Sequence, residues 1–76
     1  VKYEVVNIAD LEERFDAGTE IDAAALSELR LISGSDKPVK ILGVGEISKN
    51  LTVRANAFSA SAVKKIEAAG GKAEVI

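Results

Sequence analysis

An apolar residue, then Asn, Asp or Ser, then another apolar residue four positions after that polar one recurs three times in this chain. The copies are Val6-Asn7…Leu11, Ile21-Asp22…Leu26 and Phe58-Ser59…Val63. Each places a side-chain oxygen where it can accept from the orphan N–H groups of a first helical turn, and an apolar pair where it can staple the entering chain. Three such starts predict three helices. Ile8, Leu11 and Phe15 continue the first at helical spacing, with Gly18 as a stop, and imply a helix over roughly 8–16. Ala25, Leu29 and Ile32 line one face of a second over roughly 23–32, ended by the loop Ser33-Gly34-Ser35-Asp36-Lys37-Pro38. Ala62, Ile66 and Ala69 share the inner face of a third over roughly 60–69, closed by Gly70-Gly71, with Lys64 and Lys65 facing elsewhere.

Short β-type runs separate these helices: Lys2–Val6, Thr19–Ile21, Val39–Leu42, Leu51–Ala55 and Ala73–Ile76. Leu51, Val53 and Ala55 alternate with Thr52, Arg54 and Asn56, the period-two mark of a half-buried strand that sends Arg54 to the solvent face. The order β-α-β-α-β-β-α-β predicts one small α/β domain, either layered or wound as a superhelix of such units. With 76 residues, such a domain hides only about 60–65% of the surface its unfolded chain exposes. Tyr3, Phe15 and Phe58 are its only aromatics, so aliphatic packing has to hold it together.

The residue inventory removes several kinds of chemistry. The chain has no Cys and no His, which excludes a disulfide framework, thiolate metal ligation and imidazole acid–base work, and a cytoplasmic location is the expectation. Apolar runs of a few residues fall far short of the ~20 that cross a bilayer. Glu12/Glu13 and Asp10/Asp16 read as a solvated helix face rather than a catalytic pair, because catalytic carboxylates need apolar pockets that separate their pKa values. Ser59 and Ser61 lack a base and read as capping residues. Gly43-Val44-Gly45 follows a strand, as a phosphate-binding turn would, but Ser48 stands where a dinucleotide fingerprint needs its third glycine, and Lys49-Asn50 does not restore a phosphate loop. A strand-ending turn is the expected reading there. No catalytic residue, metal ligand, cofactor or small-molecule substrate is expected.

A net charge of −2 conceals an asymmetry. Residues 1–38 carry four basic and nine acidic side chains, and residues 39–76 carry six basic and three acidic ones, so the halves differ as −5 against +3. An anionic partner would meet the second half. Lys40, Lys49, Arg54, Lys64 and Lys65, with the hydroxyls of Ser59 and Ser61 at the last helix's start, form the candidate RNA-binding set. The other reading of the same charges is a protein-interaction module whose acidic first half docks a basic partner.

Lys40-Ile41-Leu42-Gly43-Val44-Gly45-Glu46-Ile47, then Leu51-Thr52-Val53, then Phe58-Ser59-Ala60-Ser61-Ala62, then Ile66 and Gly70, resembles the C-terminal signature of the bacterial ribosomal large-subunit protein fifteen family. Tyr3 to Leu11, Phe15 to Ile21 and the closing Ala68 to Ile76 are similar to the family as well, so the likeness covers essentially the whole chain. It implies the irregular ββα superhelical fold shared with archaeal and eukaryotic large-subunit protein eighteen-e. It also implies a non-catalytic, rRNA-binding constituent of the large subunit that supports assembly, with ribosomal RNA and neighbouring ribosomal proteins as partners. Family members open with a long, basic, glycine-rich extension that no residue before Val1 supplies here, which makes 1–76 the expected C-terminal globular domain and accounts for the acidic pI. Val44 stands where the family commonly has a polar residue.

Overall fold

The computed structural model describes residues 3–33 and 37–76. Lys2, where the first strand was expected to begin, and Gly34 to Asp36 of the expected loop lie outside the described residues. Among the described residues nine elements follow in order: β1 (Glu4–Asn7), α1 (Ile8–Arg14), β2 (Glu20–Ile21), α2 (Ala23–Glu28), β3 (Val39–Leu42), β4 (Thr52–Ala55), β5 (Ala57–Phe58), α3 (Ala60–Ala68) and β6 (Lys72–Val75).

The strands alternate between two parallel three-stranded sheets. Sheet A has the order β1-β3-β5 and sheet B the order β2-β4-β6. The chain is therefore wound in three coils, β1-α1-β2, β3-loop-β4 and β5-α3-β6, each giving one strand to each sheet. Pairing Val5 with Lys40 and Lys40 with Ala57 fixes the register of sheet A, and pairing Ile21 with Val53 and Val53 with Ala73 fixes that of sheet B. Val6, Val39 and Ile41 from sheet A meet Ile21, Val53 and Ala55 from sheet B, and Ile8, Leu11, Leu26, Ala62 and Ile66 of the helices complete one aliphatic core. No polar side chain is buried among the described residues.

The α/β class and the superhelical winding agree with the expectation, and three details differ. Asn7 precedes α1 but makes no side-chain capping bond, being instead the last residue of β1 and paired with Leu42; Asp22 and Ser59 do cap, accepting from Ala25 N at 2.9 Å and Ala62 N at 3.2 Å. The second helix stops at Glu28 rather than continuing to Ile32, because Arg30 turns left-handed (φ 60) and Leu31 N closes onto Leu26 O. Leu26 is thus the buried residue of α2 and Leu29 is exposed, whereas Ala25 and Ile32 of the expected face do pack into or against the core. Strand β5 was not foreseen, since two residues carry no periodicity; it exists because Asn56 N and Oδ1 bracket Val39, its oxygen accepting from Val39 N at 2.9 Å, and turn the chain from sheet B directly back to sheet A.

Candidate nucleic-acid interface

The middle coil has no helix, and its β3–β4 loop is stacked between α1 and α3. Backbone polar groups confined in this way need partners. Those partners come from the neighbouring coils. The Glu12 carboxylate of α1 accepts from Ser48 N, Ser48 Oγ and Lys49 N at 3.1, 2.7 and 3.2 Å. Lys49 answers by donating its ammonium to the carbonyls of Glu12 and Phe15, at 2.7 and 2.9 Å, where α1 ends. Ala9 N donates to Val44 O and Gly18 N to Asn50 O. From the other side, Lys65 of α3 donates to Gly43 O and Gly45 O at 3.1 and 2.8 Å and lies 3.7 Å from the Glu46 carboxylate.

Gly43 itself sits against the first turn of α3. A Cβ there would lie 2.7 Å from Ala62 N, and Gly43 N donates to Ser59 Oγ at 3.1 Å. Gly45 takes φ +93. The glycine turn is thus a packing and turning device, and its N–H at Gly43 is already spent on Ser59 rather than held open for a phosphate. A surface groove of about 390 Å³ runs beside it, lined by Glu46, Ile47, Ser48, Lys65, Ala68 and Ala69.

Sheet B carries its charges on its solvent face. Arg54 in the central strand donates Nε to Glu74 at 2.9 Å on one side and places Nη1 3.2 Å from Glu20 on the other. With Lys72, these four side chains sum to zero. The hydrogen bond from Arg54, then its charge, hold the Glu74 carboxyl below the ordinary range, against a desolvation effect in the other direction. Glu12 is lowered by the Ser48 hydroxyl first, with the Ser48 and Lys49 N–H groups and the Lys49 charge adding to it against desolvation. Glu4 is lowered chiefly by its bond from the Ser33 hydroxyl, with Lys37 nearby.

Carboxyls held low in the folded state contribute stability that is present above the unfolded-state pKa of about 4.3 and is lost as pH falls through the folded values. Thermal midpoints should therefore be level from about pH 7 to pH 5 and decline below about pH 4. Glu12→Gln should lower the neutral-pH midpoint and flatten part of that acid decline. An unchanged pH profile in Glu12→Gln would contradict the clamp.

The seven expected RNA-binding residues are thus divided. Ser59, Ser61 and Lys65 come together at the glycine turn, with the two hydroxyls 3.3 Å apart. Lys64 is exposed on the outer side of α3 and Lys40 lies on the outer face of β3, neither with an ion-pair partner among the described residues. Lys49 and Arg54 are occupied, the first by carbonyls of α1 and the second by two carboxylates on the other sheet. Glu12 was read as part of a solvated face and is in fact the residue that organises the loop. No local signal could have disclosed it, because its partners lie 36 and 37 residues away.

Comparison with known proteins gives a consistent result. Residues 5–74 match the family of ribosomal proteins 50S-L15 and 50S-L18e and their 60S counterpart. Proteins named large ribosomal subunit protein uL15 are 58% identical in Thermosipho africanus, 55% in Thermotoga petrophila and 53% in Syntrophotalea carbinolica, each over 74 residues, 97% of this chain and 50% of the relative. The chain spans about half the length of these curated relatives.

Proposed function

We infer, because the chain belongs to the family of ribosomal proteins 50S-L15 and 50S-L18e and their 60S counterpart, that it serves as the C-terminal globular domain of a structural protein of the large ribosomal subunit. In this reading it binds large-subunit ribosomal RNA, supports subunit assembly in the cytoplasm and catalyses no reaction. The identity of more than half the residues over 97% of the chain to proteins named uL15 is the observation that carries it.

The charge distribution supports the same reading. RNA affinity arises mainly from cations that displace counterions from phosphates. Lys40 and Lys64 have no acidic partner among the described residues and are available for this. Ser61 adds an exposed hydroxyl at the start of α3. Lys65, Lys49 and Arg54 contribute mainly by fixing the turn, the loop and sheet B. The acidic residues concentrated in the first half suit contact with neighbouring basic ribosomal proteins.

Filter binding to a large-subunit rRNA transcript tests this. Affinity should fall with salt, with a log–log slope of roughly 0.7–0.9 per phosphate contact. Lys40→Glu with Lys64→Glu should reduce that slope by about two and weaken binding at least about tenfold. Full affinity in the double variant would remove these cations from the interface.

A further inference from the structure

We propose that the outer face of sheet A, from Tyr3 across Val5 to Lys40, receives an unpaired nucleotide of the bound RNA, the base stacking on the Tyr3 ring and its phosphate meeting the Lys40 ammonium. This rests on the RNA-binding reading above and specifies what part of an RNA the domain takes.

The two sheets present opposite kinds of solvent face. On sheet B, Glu20, Arg54, Lys72 and Glu74 neutralise one another, three of them in direct ion pairs. On sheet A, alternation turns Val6, Val39 and Ile41 to the core, leaving Val5, Lys40 and Ala57 in one row on the outside. Tyr3 directly precedes β1, and continuing the strand's alternation by two residues from Val5 puts it on the same side. Val5 is 51% and Tyr3 46% exposed. Among the described residues this face carries a cation and no carboxylate. The nearest acid along β1, Glu4, belongs to the opposite side of the pleat and is already bound by Ser33 and Lys37.

An exposed phenol ring, flat aliphatic neighbours and one unpaired ammonium match what a single-stranded nucleotide needs. Its π-face stacks on an aromatic ring, and its phosphate requires a positive charge beside it. From the strand spacings, the Tyr3 and Lys40 backbones stand roughly 8 Å apart on the diagonal, close enough for one nucleotide to touch both side chains. The bases of a duplex are stacked on one another and have no free face for Tyr3. The surface therefore selects unpaired RNA, such as a loop or bulge.

Tyr3 is the only tyrosine and the chain has no tryptophan, so its intrinsic emission reports on this face alone. A short unpaired oligoribonucleotide, added with correction for its absorbance, should quench that emission, and its matching duplex should not. Tyr3→Ala should weaken binding of the unpaired RNA about five- to a hundredfold, while Tyr3→Phe should retain it. If RNA binds with Tyr3 emission and Tyr3→Ala affinity unchanged, this face is wrong and the RNA-binding reading stands. Failure of the native chain to bind any RNA overturns both. Emission that responds only to purified ribosomal proteins assigns the face to protein and overturns the proposal as well.

Discussion

Ile66→Ala should destabilise the domain by about 2–5 kcal/mol. Ile66 is fully buried on the inner face of α3, in a core whose filling is almost wholly aliphatic. Its truncation removes apolar contact and leaves a void between the last helix and the sheets that a rigid parallel framework cannot easily collapse. A folded chain of this length has on the order of 4–11 kcal/mol of total stability. The substitution therefore removes a large fraction of it. Urea unfolding followed by far-UV circular dichroism measures the loss, and a cost below about 0.5 kcal/mol would mean that Ile66 is not packed as described.

Gly43→Ala should cost about 2–4 kcal/mol, although it adds a single methyl group at a partly exposed position. The new Cβ would lie 2.7 Å from Ala62 N and 2.8 Å from the carbonyl carbon of Ser61, distances that carbon atoms do not tolerate. Backbone has to move, since neither neighbour is the free end of a side chain. The end of β3 must retreat from α3, straining the bond from Gly43 N to Ser59 Oγ and that from Lys65 to Gly43 O together. Overpacking of about 1–3 kcal/mol adds to a loss of about 0.5 kcal/mol for each of the two weakened hydrogen bonds. Faster amide exchange in the first turn of α3, alongside a lower urea midpoint, would mark this cause. Native stability in Gly43→Ala would show that the helix and the turn are not in contact.

Much of this architecture was legible in advance, and the reason is local. Asp22 and Ser59 announce their helices because a capping oxygen acts within three residues of itself. Ala62 and Ile66 mark the buried face of α3 because a helix repeats every 3.6 residues. Val53 and Ala55 mark the inner face of β4 for the equivalent reason at period two. Asn7 shows the limit, carrying the same signature while the pull of the β1–β3 ladder keeps it in the strand. Leu29 shows it again, because the left-handed turn at Arg30 ended the helix one turn short of where apolar spacing alone carried it.

The candidate site was legible as a set of residue types but not as an arrangement. Lys49, Arg54 and Lys65 look alike in a list of cations. Only their surroundings tell a lysine that satisfies carbonyls, or an arginine held between two glutamates, from Lys40 and Lys64, which have no ion-pair partner among the described residues. Tyr3 likewise reads as an ordinary aromatic in a β-type run until the structure shows it exposed beside an exposed Val5.

The amino-acid order alone determined the three helix starts, most of the strands, the inner faces of α3 and β4 and the family, because each of these depends on patterns spanning a few residues or on identities carried directly in the chain. Tertiary structure decided which charges remain available. Winding β3, the loop and β4 between two other coils brings Glu12 to Ser48 and Arg54 to Glu20 and Glu74, and electrostatic partnership depends on distance in space, which separation along the chain does not encode.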